Sequence, residues 1–317
     1  MIIGVDLGNK NTKTKRDVFV SGVKLYGVKP PLATDIIKYN DRYFSLSDQR
    51  INYTRQKIDD ENFLILLLMA ISREIKHQGL KKSTFDIELA LGLPPDHYGS
   101  QAKQLIDYYE NQIKTISFEY NDKLMTFRFK KAACFVQGHA AMMVHQKLLK
   151  SQESVLSHDI GGITWEIILF EDDPDHPGEK RITKFVTLEH GIIYLYRNII
   201  SYINSEYSLK FTEDMIDKIL KGGRIPGVGE KNQDNVRSVI KLMTQEYLET
   251  GIKMMGEYGI DPRLYYNAFL GGSSITLSKD IEEIYNLGLI DTYEILNDIG
   301  ANAEGYELLY KKMYKRG

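Results

Sequence analysis

The sequence predicts an α/β protein made of two similar halves, and three observations carry that expectation. Short apolar strands alternate with longer helical stretches along the 317 residues. An apolar strand ending in aspartate, a glycine turn and a second strand open the chain at Val5–Lys13 and recur at His158–Glu166. No low-complexity segment or long flexible linker interrupts the pattern. Two lobes flanking a cleft are the architecture expected, and the chain length favours two domains over one.

The elements follow in order. Ile2–Asp6 is an apolar strand closed by a carboxylate, and Lys13–Tyr26 and Ile36–Leu46 read as extended, separated at Pro30 and Pro31. Asp59 or Asp60 can cap the next helix, which is apolar nearly all round from Phe63 to Ile75 and is expected to be buried. Phe85, Ile87, Leu89, Leu91 and Leu93 alternate with the period of a strand. Pro94 and Pro95 close that strand and open a helix to about Lys114. A hairpin over Ile116–Phe129, a strand at Ala132–Val136 and a helix from Gly138 to Lys150 complete this half.

At Ser154 the pattern restarts with strands Val155–Asp159 and Thr164–Phe170. An acidic turn from Glu171 to Lys180 leads to a returning strand, Thr183–Leu188. Helices are expected at His190–Tyr207, Thr212–Leu220 and about Asp234–Tyr258. Along the last of these, Val236, Ile240, Met243, Tyr247 and Met254 keep one face apolar. A strand at Tyr266–Leu270 runs into Gly271 and Gly272, and a helix from about Asn302 ends the chain.

Composition narrows the class. Hydrophobic residues at 43% and charged residues at 26% are ordinary for a globular protein, and a net charge of −2 gives no global attraction to nucleic acid or an anionic membrane. One cysteine, Cys134, excludes an internal disulfide and a cysteine-built metal site. Its position favours a small buried residue over a nucleophile. The apolar run Phe63–Ile71 falls well short of the ~20 residues a spanning helix needs, and no basic segment with an apolar stretch follows Met1. A cytoplasmic protein is expected.

The paired hairpins carry the chemistry. In the first, the strand delivers Asp6 to a tight turn where Gly8 permits close backbone approach. Successive N–H groups around Gly8, Asn9 and Asn11 can form a nest for phosphate oxygens, with Thr12 adding a hydroxyl and Lys13 a point charge. Asp6 suits Mg²⁺, held through water. One such motif could be a plain polar hairpin. The second copy, with Asp159, Gly161, Gly162 and Thr164, occurs at the matching point of a repeated unit, which favours two hairpins gripping a triphosphate with Asp6 and Asp159 flanking one hydrated Mg²⁺.

Between the hairpins, Phe135–Ala141 is a strand end feeding a helix, where Gln137 could orient an attacking water. His139 rivals it, although a capping role in the first helical turn suits His139 better. Near the end, Gly271, Gly272 and Ser273 form a strand-to-helix turn that lets backbone lie flat against a nucleoside. Gly-Gly-Ser alone is a weak signal.

This set of segments resembles the actin, heat-shock chaperone and sugar-kinase superfamily over the whole chain, and within it the ParM-type actin-like ATPases that segregate plasmids. Phosphate-1 would be Val5–Lys13, connect-1 Phe135–Ala141, phosphate-2 Asp159–Thr164, the adenosine segment Leu270–Ser274 and connect-2 Ile299–Gly305. Asp-x-Gly-Asn with the following Thr-Lys, and Ala301-Asn302-Ala303-Glu304-Gly305, carry the ParM likeness. The resemblance implies the duplicated, ribonuclease H-like actin fold. Its lobes would be 1–152, completed by a C-terminal helix at about 300–317, and 153–299, with a small helical subdomain around 205–235. It implies ATP or GTP with Mg²⁺ as cofactors, Asp6 and Asp159 as the magnesium-associated aspartates, and Gly271 and Gly272 against adenosine. Gln137 stands where plasmid-segregation relatives commonly have Glu, which puts a general-base role in doubt. Lys218, on the Thr212–Leu220 helix, is the expected base-flanking side chain.

The expected function is a filament that assembles with bound nucleotide, disassembles after hydrolysis and moves plasmid or phage DNA. Partners would be further copies of the chain and an adaptor on centromere-like DNA, with no direct DNA contact and no membrane. A small-molecule kinase of the same fold would need a carboxylate base that the Gln137 segment does not offer. A membrane-tethered division actin would need a targeting tail, and the basic stretch Tyr310–Arg316 is expected instead to pack as a helix on the first lobe. No peptide-binding domain follows to make a chaperone. Gly222–Lys231 lacks P-loop spacing, Asp172, Asp173 and Asp175 lack the pattern of a calcium loop, and the seven histidines show no zinc spacing. The 21 tyrosines favour a protein–protein surface only faintly.

Overall fold

A computed structural model describes residues 1–54 and 56–314. The chain divides into two compact units, Met1–Gln146 with Ile299–Gly317, and Lys147–Asp298. Lys315 and Arg316 of the basic tail lie outside the described residues.

The first unit contains β1 (Ile2–Leu7), β2 (Asn11–Lys13), β3 (Val18–Val20), β4 (Val23–Tyr26), β5 (Ile36–Tyr39), β6 (Arg42–Leu46), α1 (Glu61–His77), β7 (Thr84–Leu93), α2 (Pro95–Asp107), β8 (Thr115–Tyr120), β9 (Lys123–Val136) and α3 (His139–Val144). Its nine strands form one sheet in the order β3-β2-β1-β7-β9-β8-β5-β6-β4. Asp60 caps α1 by accepting from Asn62 N at 2.9 Å. Every residue of α1 from Phe63 to Ser72 is buried, as its all-round apolar pattern requires. Each large aliphatic side chain buried there contributes about 1.5–3 kcal/mol, so this helix is the centre of the unit's core.

Three expectations are corrected here. The extended stretch Lys13–Tyr26 is cut into three strands, because Thr14 N turns back to Asp17 O at 2.9 Å. The helix expected to reach Lys114 stops at Asp107 and continues as a π-helical turn, Tyr108–Ile113. That wider turn puts Tyr109 against Phe129, with ring centroids 5.5 Å apart, and Glu110 within 2.7 Å of Ala132 N. Finally, the hairpin arm and the separate strand at Ala132 are one strand, β9. Phe129 pairs with Ile87 and Lys131 with Glu88, so Lys130 is an extra residue that breaks the alternation without ending the strand.

The helix expected from Gly138 to Lys150 is also divided, into α3 and α4 (Gln146–Ser151), at the non-helical His145. The second unit then runs through β10 (Ser154–Ile160), β11 (Trp165–Asp172), β12 (Lys180–Leu188), α5 (Ile192–Tyr207), α6 (Glu213–Leu220), α7 (Gln233–Glu257), β13 (Tyr266–Leu270), α8 (Gly271–Thr276), α9 (Ser278–Asn286) and β14 (Thr292–Ile295). Five strands form a sheet in the order β12-β11-β10-β13-β14. Trp165, at the start of β11, is fully buried, and α7 meets it at Gly251, where a Cβ would lie 2.2 Å from the indole ring. Helix α9 and strand β14 follow α8 in a stretch that periodicity left unassigned.

The last helix, α10 (Ala301–Tyr314), returns to the first unit. Small residues let it lie against the backbone there. A Cβ on Gly4 would meet Ala303 O at 2.0 Å, and one on Gly305 would meet Ala140 O at 1.9 Å. Tyr306 and Tyr310 are buried, and Lys131 Nζ lies 3.4 Å from the Tyr314 ring centroid. Among the described residues, no helix is long and apolar enough to cross a membrane.

Candidate functional site

In the first unit the site is built on the β1–β2 hairpin. Asp6 pairs with Lys13 and Leu7 with Thr12, leaving Gly8–Asn11 as the turn. Gly8 is obligatory, since a Cβ there would stand 2.5 Å from Asn11 O. Ser21 clamps the turn from beneath, donating to Gly8 O at 2.6 Å and meeting the Thr12 hydroxyl at 2.9 Å. Thr12 is fully buried, so its hydroxyl supports the turn from below instead of facing a ligand. Lys57, which sequence reasoning missed, donates to Leu7 O at 2.6 Å. The Asn9 side-chain oxygen is buried without a hydrogen-bond partner. A buried orphan amide in such a turn is a polar group awaiting a ligand.

Asp6 is only 2% exposed. Lys13 Nζ lies 3.4 Å from one of its oxygens, and Gln137 Nε2 donates to the other at 2.8 Å. Gln137 is held by its own N–H, which donates to Leu93 O at 2.9 Å, and by the neighbouring Gly138, whose φ of +72° only glycine adopts readily. Gly138 N donates to Asn302 Oδ1 at 2.9 Å. Asn302 thus fixes the turn at Gly138, a link that no local sequence pattern reveals. Burial pushes the His139 imidazole below its ordinary pKa, with Lys312 adding to the effect. Cys134 is buried and its thiol is pushed up to about 12 by that burial, which leaves it inert as a nucleophile.

In the second unit the β10–β11 hairpin provides the counterpart. Asp159, 7% exposed, stands directly opposite Glu166. The carbonyls of Gly161, Gly162 and Ile163 all accept from the start of α5, from Ile192 N, Ile193 N and Gly191 N at 3.0, 3.0 and 2.8 Å. In a planar trans peptide the N–H points opposite its C=O. The N–H groups of Gly162, Ile163 and Thr164 are therefore turned away from α5, side by side, as an anion nest. Gly191 allows this docking, since a Cβ there would overlap Gly162 and Ile163 backbone at 2.3–2.5 Å.

The turn after β13 lies beside this hairpin. Gly271 has φ +79°, and a Cβ on it would lie 3.0 Å from Asp159 Oδ1. Gly272 follows it at the start of α8, Ser273 is 6% exposed, and Ser274 Oγ donates to Leu270 O at 2.6 Å. Beyond α8 opens a cavity of about 510 Å³, lined among others by Lys221, Arg237, Lys241, Ile275, Thr276 and Asp280. That volume falls in the range of small-molecule sites. Lys218 is not on its wall and pairs with Asp214 at 2.7 Å, one turn back. Lys221, Arg237, Lys241 and Lys279 are cations on its wall, brought there from three separate stretches of the chain. Asp280 is pushed up to about 6, first by burial and then by Glu283 beside it.

Magnesium binds through one or two carboxylates and substrate phosphates, keeping most of its waters. Within its own unit, Asp6 is a buried carboxylate near the end of β1, and in the other unit Asp159 is one beside Gly271; taken singly, each is the kind of ligand that demand describes. With both oxygens of Asp6 already engaged by Lys13 and Gln137, the fit is to an ion held through water.

No protein-family model matches the chain, and no curated protein matches it in sequence. Solved structures do. A 15-stranded ParM filament from Clostridium botulinum superposes with a TM-score of 0.72 at 18% identity, covering 98% of this chain and 99% of that one. An archaeal actin homolog gives 0.74 at 15% identity, with the same coverage. Bacillus thuringiensis ParM with AMPPNP gives 0.63 at 14%, covering 99% of this chain and 98% of that one. The fold is therefore actin-like α/β, as the resemblance implied.

Proposed function

We propose that this actin-fold chain is a ParM-type ATPase whose nucleotide-dependent filaments move plasmid or phage DNA. One observation carries the reading: in each unit a buried aspartate, Asp6 or Asp159, lies next to the end of a strand that runs into a glycine turn. The nest of Gly162, Ile163 and Thr164 would hold phosphate oxygens, as would the turn carrying Gly8, Asn9, Asn11 and Lys13. Asp6 and Asp159 would hold Mg²⁺ through water, and the ion would neutralise charge on the phosphates. Gln137, next to Asp6, would orient the attacking water once its carboxamide turns from Asp6. Gly271, Gly272 and Ser273 would meet the nucleoside, with the base in the adjoining cavity near Lys221, Arg237 and Lys241.

Polymerisation is supported by the neighbours, one of which is a 15-stranded ParM filament. Triphosphate binding is supported by another, a ParM with AMPPNP. A net charge of −2 favours DNA attachment through an adaptor over direct contact. The test is electron microscopy of the purified protein with Mg²⁺ and AMPPNP. Filaments are expected; a monomer at high concentration with every nucleotide would refute the proposal.

A further inference from the structure

Beneath the second hairpin lies a carboxylate that the reading above leaves without a task. Glu166 is 4% exposed and accepts from the Thr164 hydroxyl at 2.5 Å. Glu166 also stands opposite Asp159 in the β10–β11 register, so both carboxylates project from one face of the hairpin. Its second oxygen lies 3.7 Å from where a Cβ of Gly161 would be, directly under the turn.

A hydroxyl owns one proton. With that proton committed to Glu166, Thr164 Oγ1 offers only lone pairs to anything above it. It can accept from a water; it cannot donate to a phosphate oxygen. The Thr164 N–H, by contrast, belongs to the anion nest. One residue thus presents a donor for phosphate from its backbone and an acceptor for water from its side chain.

We propose that Glu166 is a positioning residue that locks the Thr164 hydroxyl as an acceptor, so that Thr164 orients a water against the bound phosphates. This rests on the nucleotide-hydrolysis reading given above. Replacing Glu166 by glutamine keeps the shape and removes the charge. With the carboxamide NH2 turned to Thr164, the hydroxyl accepts that bond and its own proton is free to bond a phosphate oxygen in the ground state, which favours binding and not turnover.

The test compares wild type with Glu166→Gln, measuring binding of a fluorescent ATP analogue and steady-state hydrolysis. In Glu166→Gln, kcat is expected to fall about tenfold to a hundredfold, with KM unchanged or lower. Thr164→Val should lose kcat similarly, Thr164→Ser should keep it, and Glu166→Gln should add nothing in the Thr164→Val background. A parallel rise in KM, or an unchanged kcat, would overturn the assignment. If Glu166→Gln does not fold, the Thr164 pair decides alone: a Thr164→Val protein with full kcat overturns it. Wild-type protein that binds no nucleotide would overturn the hydrolysis reading and this inference with it. Wild-type turnover that Glu166→Gln leaves intact would overturn this inference alone.

Discussion

Asp6 and Gln137 meet through a hydrogen bond of 2.8 Å, and this contact sets what substitutions there should do. Gln137→Ala removes the water-orienting carboxamide and leaves the phosphate turns in place. Steady-state kinetics should show kcat lowered about a hundredfold with KM little changed. Gln137→Glu sets a second carboxylate against Asp6, and like charges at that range push one pKa upward. Its kcat should therefore acquire a pH dependence above the ordinary carboxylate range, which a pH–rate profile would show. A different residue contributes to acid stability. Burial pushes His158 down to about 4 from 6.5, against the opposing hydrogen bond to Asn267 at 2.9 Å. Unfolded chains take up this proton below about pH 6.5 and the folded chain only near 4. The contribution of neutral burial is thus complete above that window and is lost as pH falls through it, by about 3 kcal/mol in sum. Denaturant titrations from pH 7 to 4 should show the slope, and His158→Gln should flatten it. At this scale the sequence revealed residue types with strong local grammar: Asp6 and Asp159 after apolar strands, and the turn glycines. It did not reveal that Thr12 faces inward, because the clamp on its hydroxyl comes from Ser21, on a separate turn. Nor did it reveal Lys57 or the cavity cations, which reach their places only through tertiary packing.

Helix α10 is the element on which connect-1 depends. Asn302 accepts from Gly138 N, and Gly305 passes under Ala140 O, where a Cβ would stand at 1.9 Å. Gly305→Ala should force the two backbones apart and cost about 1–3 kcal/mol, seen as a lower thermal midpoint. Asn302→Ala leaves a buried N–H unsatisfied at a cost of about 1–3 kcal/mol and frees Gln137, so both the thermal midpoint and kcat should fall. Most strands and helices were legible because their periodicity is local: β7 alternates over ten residues, and α1 is apolar all round. The misreadings share one cause, a backbone irregularity stabilised by partners far along the chain. The extra residue Lys130 shifts the face of β9, and the π-helical turn at Tyr108–Ile113 is held by contacts to Phe129 and Ala132.

Across the whole molecule, the duplicated strand–Asp–Gly–turn pattern predicted two similar α/β halves, and the resemblance of the full set of segments implied the actin-like fold. The neighbouring structures, at 14–18% identity, share that fold over nearly the entire chain. The step from fold to nucleotide-timed filament is the central claim, because subunit contacts leave no local signature in a sequence. Light scattering and phosphate release, recorded together after adding Mg-ATP, test it most directly. Scattering should rise first, phosphate should follow with a lag, and scattering should decline as ATP is consumed, whereas Gln137→Ala filaments should persist. Phosphate release at constant, monomeric scattering, or no response of either signal, would contradict it.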